Sequence, residues 1–334
     1  MSILVTGAAG FIGYHVAEAL IARGDEVIGI DNLSDYYDVG LKKARLERLK
    51  THSAFTFKQL DIADDGAMVT LSRSLSGATG VVHLAAQAGV RYSMVNPQAY
   101  LHSNVTGHLN ILETCRHIEG LKHLVYASSS SVYGGNTSMP FSEDDPVDHP
   151  VSLYAATKKT DELMSHTYSH LYGIPATGLR FFTVYGPWGR PDMAYYSFAE
   201  AIFRAETIHV FNHGEMKRDF TYIDDIVSGV LTVLDHPLEV PSRTLHNIDG
   251  GAVPHRVYNI GNNRAENLLR FIKVIENAVG KTAKLKMVAM QPGEVKETYA
   301  DITLINRDFG FSPTTSIDEG IPLFIEWYRE YHGR

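Results

Sequence analysis

The chain has 334 residues, of which 44% are hydrophobic and 20% are charged, values that are ordinary for a globular protein with a core of normal size. The net charge of −8 and the absence of a long basic run argue against nucleic acid as a partner. No run of about 18 apolar residues indicates a membrane span, and the first residues lack the features of a signal peptide. The single cysteine, Cys115, allows no intrachain disulfide, and we expect a cytoplasmic protein without a membrane partner.

The elements predicted in the first half alternate between strands and helices. In chain order they are a strand at 2–6, a helix at 11–23, strands at 26–30, 54–58 and 80–84, a helix at 98–119, a strand at 122–127, a helix at 152–172 and a strand at 175–180. The strands are short and apolar, and the helices carry apolar residues at helical spacing. This alternation predicts an α/β fold with a Rossmann-like, doubly wound parallel sheet.

The rhythm changes after Arg180. Residues 182–193 contain two glycines and two prolines and are predicted to form a loop, and the rest mixes short strands and helices with turn residues. An apolar helix predicted at 224–234 favours a return of the chain to the first sheet. We therefore expect residues 1–180, with a return segment around 224–260, to form a nucleotide-binding domain, and residues 181–223 and 261–334 to form a smaller α/β substrate domain.

Three glycines, Gly7, Gly10 and Gly13, lie between the first predicted strand and the first predicted helix. Glycines at this spacing allow a tight turn and a close approach to a pyrophosphate, and the helix N-terminus favours phosphate. Asp31 ends the next strand, 18 residues after Gly13, where a carboxylate binds a ribose 2′-OH and repels a 2′-phosphate. The pattern predicts NAD rather than NADP as the cofactor. Asp61, after the third strand, could either reach the adenine or cap a helix.

Tyr154 and Lys158 stand four residues apart on the helix predicted at 152–172, so both face the same way. Among the 18 tyrosines, only Tyr154 has a lysine four residues on. An ordinary surface pair on an amphipathic helix is the alternative. A free tyrosine has a pKa of about 10, and a lysine ammonium together with an oxidised nicotinamide would favour the phenolate. The pair therefore predicts removal of a hydroxyl proton coupled to hydride transfer.

Four serines, residues 128–131, follow the fifth predicted strand. In doubly wound sheets, ligands bind at the carboxyl ends of the strands. These hydroxyls could therefore orient a sugar hydroxyl and relay a proton. A serine-rich turn without a ligand is the alternative.

Together these features resemble the extended short-chain dehydrogenase/reductases, a family of nucleotide-sugar epimerases and dehydratases. The resemblance rests on the glycine turn, Asp31, HLAA at 83–86, the serine run and the Y-x-x-x-K pair. Longer segments are similar to the UDP-glucuronate 4-epimerases, namely NLSDYYDVGLKKARL at 32–46, HLAAQAGVRYS at 83–93, SSSSVYG at 128–134, RFFTVYGPWGRPDMA at 180–194 and KRDFTYIDD at 217–225. The similarity spans nearly the whole chain.

The resemblance implies roles for residues along the chain. The catalytic residues would be Tyr154, Lys158 and Ser129, the last as the hydroxyl partner of the tyrosine. Besides the first two of these, the residues that line NAD would be Gly7, Gly10, Phe11, Ile12, Gly13, Asp31, Asn32, Asp61, Ile62, Leu84, Ala85, Ala86, Gln87, Asn104 and Phe181. The residues that contact the sugar, its carboxylate or the diphosphate would be Arg91, Ser129, Ser130, Ser131, Tyr154, Thr183, Arg190, Arg218 and Glu294. Arginine suits these anions because its planar fork gives two parallel hydrogen bonds, although each arginine could be a solvated surface charge.

Two positions depart from the UDP-glucose 4-epimerases. Thr183 stands where their R-Y-F-N segment has asparagine, and Gln291 stands where they often have an arginine before Pro-Gly. Both differences point away from plain UDP-glucose as the substrate. Thr183 suits a uronate group, and Glu294 is expected to contact the uridine ribose.

The resemblance implies conversion of UDP-glucuronate to UDP-galacturonate through a transient 4-keto sugar, with NAD tightly bound and regenerated in each turnover. Tyr154 would take the 4-OH proton as hydride leaves C4, and hydride would return to the other face of the ketone. This ketone is a β-keto acid, which loses CO₂ readily. The enzyme must therefore hold the carboxylate out of alignment, which Ser130, Ser131 and an arginine could do.

Related enzymes define the alternatives. The UDP-glucuronate decarboxylases have S-T-S-E-V-Y-G, with glutamate at the position of Ser131, and the 4,6-dehydratases usually have an Asp-Glu pair after the position of Ser129. This chain matches neither pattern. A decarboxylase and a UDP-glucose or UDP-N-acetylglucosamine 4-epimerase stay open as alternatives. A non-catalytic NAD-binding scaffold is an alternative of another class, against which the intact Tyr154, Lys158 and Ser129 count.

The helices predicted at 98–119 and 152–172 resemble the faces through which the family forms homodimers, as a four-helix bundle. The same helices could simply cover the sheet. No metal site is expected, because His166 and His170 share a helix face but lack a third ligand and the glutamate of an H-E-x-x-H motif.

Overall fold

The computed structural model describes residues 1–237, 253–290 and 295–334. Its strands are β1 (Ser2–Thr6), β2 (Glu26–Asp31), β3 (Phe55–Gln59), β4 (Gly80–His83), β5 (His123–Ser129), β6 (Ala176–Phe181), β7 (Thr183–Tyr185), β8 (Thr207–Val210), β9 (Lys217–Tyr222), β10 (His255–Ile260), β11 (Ala265–Asn267) and β12 (Lys284–Met287). Its helices are α1 (Phe11–Ala22), α2 (Val39–Lys50), α3 (Asp65–Ser72), α4 (Tyr92–Val95), α5 (Pro97–Tyr100), α6 (Gly107–Arg116), α7 (Leu153–Tyr172), α8 (Ala194–Arg204), α9 (Ile223–Asp235), α10 (Leu268–Val279), α11 (Thr303–Phe309) and α12 (Ile317–His332).

Seven of the strands form one parallel sheet in the order β10-β6-β5-β4-β1-β2-β3. The direction of winding reverses between β1 and β4, where doubly wound sheets leave a crevice for ligands at the carboxyl ends of the strands. Side chains alternate across β1, so Leu4 packs in the core on one face and Ile3 and Val5 pack in the core on the other. The predicted α/β fold with a Rossmann-like, doubly wound sheet is confirmed.

Helices cover both faces of this sheet. α1, α2 and α9 pack on the face that holds Val5, and α3, α6 and α7 pack on the face that holds Leu4. After α9 the chain returns to the sheet, because β10 pairs with β6 as the seventh strand. This return lies within the range predicted at 224–260, of which residues 238–252 are outside the described residues.

The remaining strands form two small sheets. β7 pairs in parallel with β9, β9 pairs antiparallel with β11, and β12 pairs in parallel with β8. The prediction of a loop throughout 182–193 is therefore wrong for Thr183–Tyr185, which forms β7. This strand exists because it pairs with residues 220–222, a distant contact that local glycine and proline signals do not reveal.

The helix predicted at 98–119 is not uniform. It consists of α5, a π-helical turn at Leu101–Thr106 and α6. Asn104 lies in the π-helical turn and is buried, with 1% of its surface exposed. By contrast, α7 is regular: the Ser152 hydroxyl accepts the N–H of Ala155 at 3.1 Å where the helix begins, and the helix ends at Gly173, which has a φ of +68°.

Among the described residues, no helix is both long enough and apolar enough to cross a membrane. Nor do these residues bring three or more His, Cys, Asp or Glu side chains together as a metal site.

Candidate active site

The turn between β1 and α1 leaves no room for a side chain at Gly7 or Gly13. Gly7 has a φ of +70°, and a Cβ on it would lie 2.8 Å from the backbone nitrogen of Ala85. A Cβ on Gly13 would lie 2.0 Å from the carbonyl oxygen of Gly7. No described side chain caps the first turn of α1, so its N–H groups remain available in this cradle. The turn therefore fits the pyrophosphate of a dinucleotide.

Asp31 closes β2 and holds this turn in place. One carboxylate oxygen accepts the N–H of Ala9 at 3.1 Å, and the other accepts the N–H of Leu33 at 2.8 Å. The side chain is buried, and burial raises its pKa, although Lys42 and the two N–H groups oppose the rise. Each oxygen keeps a second lone pair, with which the carboxylate could accept the hydroxyls of a ribose.

Asp61 and Asn32 face each other beyond the ends of β3 and β2. Asn32 donates through Nδ2 to Asp61 Oδ2 at 3.0 Å. Asp61 does not cap the helix that follows, because Asp64 occupies the cap of α3 and accepts the N–H of Ala67 at 3.0 Å. The interpretation of Asp61 as a helix cap is therefore wrong.

The backbone after β4, at residues 84–87, is fixed by two buried side chains. Thr6 Oγ1 accepts the N–H groups of the first two of these residues at 3.1 and 3.0 Å. Asn104 accepts the N–H of Gln87 at 2.8 Å and donates to its carbonyl at 3.0 Å. It also donates to Thr157 on α7 at 3.0 Å. Because its amide is engaged in these bonds, Asn104 positions the backbone of the crevice instead of presenting a free side chain.

The apolar residues predicted to line the cofactor lie mostly in the cores. Phe11 and Ile62 are 4% and 6% exposed and pack in the cores on opposite faces of the sheet. Ile12 is partly buried against the same core as Phe11. Phe181 is the last residue of β6 and therefore lies at the carboxyl edge of the sheet.

Tyr154 and Lys158 lie on the first two turns of α7, which packs on the turn after β5. Lys158 is 3% exposed, and its Nζ donates to the carbonyl of Ala127 at 2.9 Å and to Asp161 Oδ2 at 3.0 Å. The bond to Ala127 ties α7 to β5 just before the serine run. Tyr154 is half-buried, and its ring meets that of Tyr100 edge-on, with 6.0 Å between the ring centroids. The surface-pair interpretation is wrong, because Lys158 is buried.

The four serines divide between two environments. Ser128 is buried and donates to Glu162 at 2.6 Å, and Glu162 accepts two hydrogen bonds from Arg180 at 2.8 and 2.9 Å. Ser129 is the last residue of β5, and its hydroxyl accepts the N–H of Ser131 at 3.2 Å at the start of a 3₁₀ turn. The first hydroxyl of the run is therefore structural, and the other three donate no hydrogen bond to any described residue.

Thr183 and Arg190 come from one stretch of chain that follows β6. Thr183 is half-buried at the start of β7. Arg190 donates to Asp192 at 3.0 and 2.5 Å, and Tyr36 donates to the same carboxylate at 3.2 Å. Because Tyr36 lies in the segment after β2, this cluster joins the predicted cofactor region to the predicted substrate region.

Two more predicted substrate residues, Arg91 and Arg218, lie on separate elements. The guanidinium carbon of Arg91 is 5.0 Å from the centroid of the Phe211 ring. Arg218 on β9 donates to the carbonyls of Lys217 and Lys296 at 2.8 and 3.1 Å. Burial lowers its pKa to about 10. The last predicted residue, at position 294, lies outside the described residues.

Sequence reasoning missed Arg45, which is fully buried on α2. Its guanidinium donates to the carbonyl of Ala9 in the glycine turn at 2.8 Å, and to the carbonyls of Trp188 and Gly189 at 2.6 and 3.2 Å. It therefore joins the cofactor turn to the loop before Arg190. The helical spacing of Arg45 with the buried leucines of α2 was a signal in the sequence that this arginine is buried. A buried arginine needs hydrogen-bond partners within the protein.

We expect Asp31→Asn to weaken NAD binding about tenfold and to reduce the preference for NAD over NADP. The amide cannot accept both backbone N–H groups as the carboxylate does, and it no longer repels a 2′-phosphate. Titration of cofactor-free protein with each nucleotide measures the two dissociation constants. Asp144→Asn, at an exposed loop position, is the matched control. Equal effects of the two substitutions would contradict this role of Asp31.

Comparison with known proteins gives a consistent result. The model of the NAD dependent epimerase/dehydratase family matches residues 3–261. Protein CapI of Staphylococcus aureus is 51% identical over 337 residues, which cover 99% of each chain. UDP-glucuronate 4-epimerase 4 of Arabidopsis thaliana is 48% identical over 336 residues, which cover 99% of this chain and 76% of that protein.

A solved structure agrees with these relatives. UDP-glucuronic acid 4-epimerase of Bacillus cereus, in complex with UDP-glucuronic acid and NAD, matches with a TM-score of 0.88 at 35% identity, covering 99% of this chain and 100% of that one. The predicted cofactor, NAD, is confirmed, and the glycine cradle and Asp31 fit it. The predicted resemblance is also confirmed: the chain belongs to the NAD dependent epimerase/dehydratase family.

Proposed function

We propose that this protein inverts C4 of UDP-glucuronate, interconverting it with UDP-galacturonate through a 4-keto sugar. The prediction that the protein is a nucleotide-sugar 4-epimerase that uses NAD is confirmed by its family and its relatives. The choice of a uronate rests on the carboxyl end of β5, where residues 129–131 offer three hydroxyls and no acidic side chain. Hydroxyls can donate to a carboxylate, whereas a glutamate in this run would repel it. Thr183 adds a fourth hydroxyl at the start of β7.

Tyr154 is proposed to exchange the proton of the 4-hydroxyl group. It precedes Lys158 by one helical turn, and the bond from Lys158 to β5 fixes a positive charge on the helix face that Tyr154 shares. Ser129, at the end of β5, would orient the same sugar hydroxyl. NAD, held by the glycine turn and Asp31, would supply a hydride acceptor for C4 and a hydride donor for the opposite face of the ketone. The chain's own residues must then hold the sugar, move one proton and exclude water.

A rigid turn would protect the intermediate from losing CO₂. The 4-keto sugar decarboxylates when the bond to its carboxylate aligns with the carbonyl π system, so hydrogen bonds from Ser130 and Ser131 have to hold the carboxylate in another orientation. Their 3₁₀ turn is anchored at its last residue, Tyr133, which donates to Asn259 at 2.7 Å and accepts from Arg180 at 3.0 Å. Both partners are buried, which favours a single turn geometry.

Arg218 is proposed to bind the diphosphate. It forms no ion pair with a carboxylate anywhere in residues 1–237, 253–290 and 295–334, and its two hydrogen bonds go to neutral carbonyls. Burial is the cause that lowers its pKa to about 10. A partly desolvated guanidinium of this kind is stabilised when an anion arrives. The two carbonyls accept only part of the five N–H donors of the guanidinium, so the remaining donors can bind phosphate oxygens.

Purified protein is expected to convert UDP-glucuronate to UDP-galacturonate without release of CO₂ and without added NAD, because the cofactor stays bound between turnovers. Chromatography of the nucleotide sugars, together with a CO₂ assay, measures both outcomes. UDP-xylose or a 4-ketopentose would indicate a decarboxylase. Faster conversion of UDP-glucose would indicate a neutral-sugar epimerase. No turnover even with added NAD would favour the non-catalytic scaffold.

The homodimer and the cytoplasmic location stay predictions. For the homodimer, α6 and α7 carry exposed leucines, since Leu109, Leu163 and Leu171 are 39%, 57% and 57% exposed. Such side chains support pairing of these helices in a four-helix bundle with a second copy.

A further inference from the structure

Asp161 lies one turn after Lys158 on α7 and touches no solvent, being 0% exposed. Its Oδ2 accepts a hydrogen bond from Lys158 Nζ at 3.0 Å, and the same ammonium donates to the Ala127 carbonyl at 2.9 Å. Two of the three ammonium protons are therefore directed at fixed partners. The third ammonium proton has no hydrogen-bond partner among the described residues, and Tyr154 lies one helical turn earlier on the same face of α7.

Stability alone does not account for a carboxylate at this position. Both members of the pair are almost completely buried, and desolvation of two charges usually costs about as much as their attraction returns. Moreover, Asp161 Oδ1 has no hydrogen-bond partner among the described residues, which is costly for a buried oxygen. A smaller or apolar residue would occupy this buried position with a smaller desolvation penalty. The carboxylate is therefore better explained by its effect on Lys158.

The groups that face this pair from other elements are neutral near neutral pH. Burial lowers the pKa of His108 on α6 well below its ordinary value, and burial lowers that of His83 on β4 to about 3. Burial also raises the pKa of Tyr126 on β5 well above its ordinary value. None of these three groups therefore changes charge near neutral pH.

On α7 itself, Glu162 follows Asp161, but Arg180 holds it with two hydrogen bonds and balances its charge. Burial raises the pKa of Asp161, although Lys158 opposes the rise. Among the described residues, the ammonium of Lys158 is the side-chain partner of the Asp161 carboxylate. The charges of Lys158 and Asp161 therefore offset each other, whereas the charge of Glu162 is balanced by Arg180.

We propose that Asp161 is a positioning residue for the reaction: it fixes the Lys158 ammonium at the Ala127 carbonyl and offsets part of its charge. In this way it sets the pH range in which Tyr154 accepts a proton from the sugar. The proposal deepens the proposed function and rests on it, because it requires Tyr154 and Lys158 to act as assigned there. Asp161 itself is not expected to touch the substrate.

The decisive variant is Asp161→Asn, which keeps an oxygen for Lys158 but removes the charge. We expect kcat at its optimum to stay within about threefold of wild type, because the hydrogen bond persists. The acid limb of the kcat/KM profile should move to lower pH by roughly 0.5–1 unit, because a charge that opposed Lys158 is gone. The ultraviolet phenolate signal of the NAD-loaded protein, taken as the difference from Tyr154→Phe, should move the same way. Asp144→Asn, with its exposed carboxylate, should move neither.

Asp161→Leu removes both oxygens and releases Lys158. We expect turnover to fall more than about tenfold at every pH while the bound NAD content stays near wild type. An unmoved acid limb and phenolate signal in Asp161→Asn would overturn the proposal, as would wild-type kcat in a folded Asp161→Leu. If the leucine variant does not fold, the isosteric asparagine variant still decides. Failure of the wild-type protein to epimerise UDP-glucuronate would reject the proposed substrate alone, since the phenolate signal needs no substrate.

Discussion

Tyr154→Phe is expected to lower turnover on UDP-glucuronate by about 10³-fold while leaving bound NAD near its wild-type content. The substitution removes the hydroxyl that is proposed to exchange the proton, and general acid–base catalysis by a positioned side chain contributes roughly 10²–10⁴-fold. The ring itself stays, so its edge-on contact with Tyr100 is kept and the start of α7 is not disturbed. Initial rates and the nucleotide content of the purified protein measure the two quantities.

The matched control lies on the same helix. Tyr172→Phe removes the hydroxyl of a residue that is 37% exposed at the far end of α7, and it should leave turnover unchanged. A Tyr154→Phe protein with activity within about tenfold of wild type would contradict the assigned role. A protein that has also lost its NAD would instead point to a structural part for this residue.

Arg180→Met is expected to lower the free energy of unfolding by about 3–5 kcal/mol, because it leaves the buried carboxylate of Glu162 without its main partner. Burial opposes the ionised form of Glu162, but the hydrogen bonds from Arg180 and Ser128 hold its pKa below the ordinary value. A lowered carboxyl pKa stabilises the folded state above the pKa of the unfolded chain and loses this contribution as pH falls. The difference between wild type and variant should therefore shrink below about pH 4. Denaturant unfolding at several pH values measures it.

Arg256→Met supplies the control, because the side chain of Arg256 is 49% exposed and pairs with Asp308 at 3.5 Å. Exposed pairs contribute about 0–1 kcal/mol, so this change should be small. Adding Glu162→Leu to Arg180→Met should restore part of the lost stability, since no unpaired charge is then buried. Equal losses from the two arginine substitutions would show that burial of the Glu162 pair has little energetic weight.

The sequence was sufficient for features with a local physical cause. The glycine turn, Asp31 and the succession of strands and helices follow from backbone sterics and periodicity, and the structure places all of them in one doubly wound sheet. Tyr154 and Lys158 were found because helical spacing puts residues four apart on one face. Each of these signals is contained within about 30 residues, as expected for a strand, a helix and the next strand.

The rest depended on contacts between distant segments. β7 exists only as a partner of β9, and its three residues have no periodicity of their own. The sequence also did not show which way each side chain points. Ser128 and Ser129 are neighbours, yet Ser128 donates to the buried Glu162 and Ser129 lies at the carboxyl edge of the sheet. Asn104 faces inward from a π-helical turn that no composition rule predicts. Sequence patterns predicted the candidate residues of the site. Contacts between distant segments determine which of their side chains are already hydrogen-bonded within the protein.

The buried Arg45 connects the two halves of the candidate site. Its hydrogen bonds join positions that are 36 and 143 residues away along the chain, the glycine turn on one side and the loop before Arg190 on the other. Where opening of that loop disrupts the glycine turn, NAD bound at the turn is expected to oppose the opening, by up to about 2.7 kcal/mol when free NAD is at 100 times its dissociation constant. Bound NAD is therefore expected to order the loop before Arg190 as well as to take part in the reaction. Protein that has lost its nucleotide is expected to expose the loop before Arg190 to proteases before the sheet itself opens.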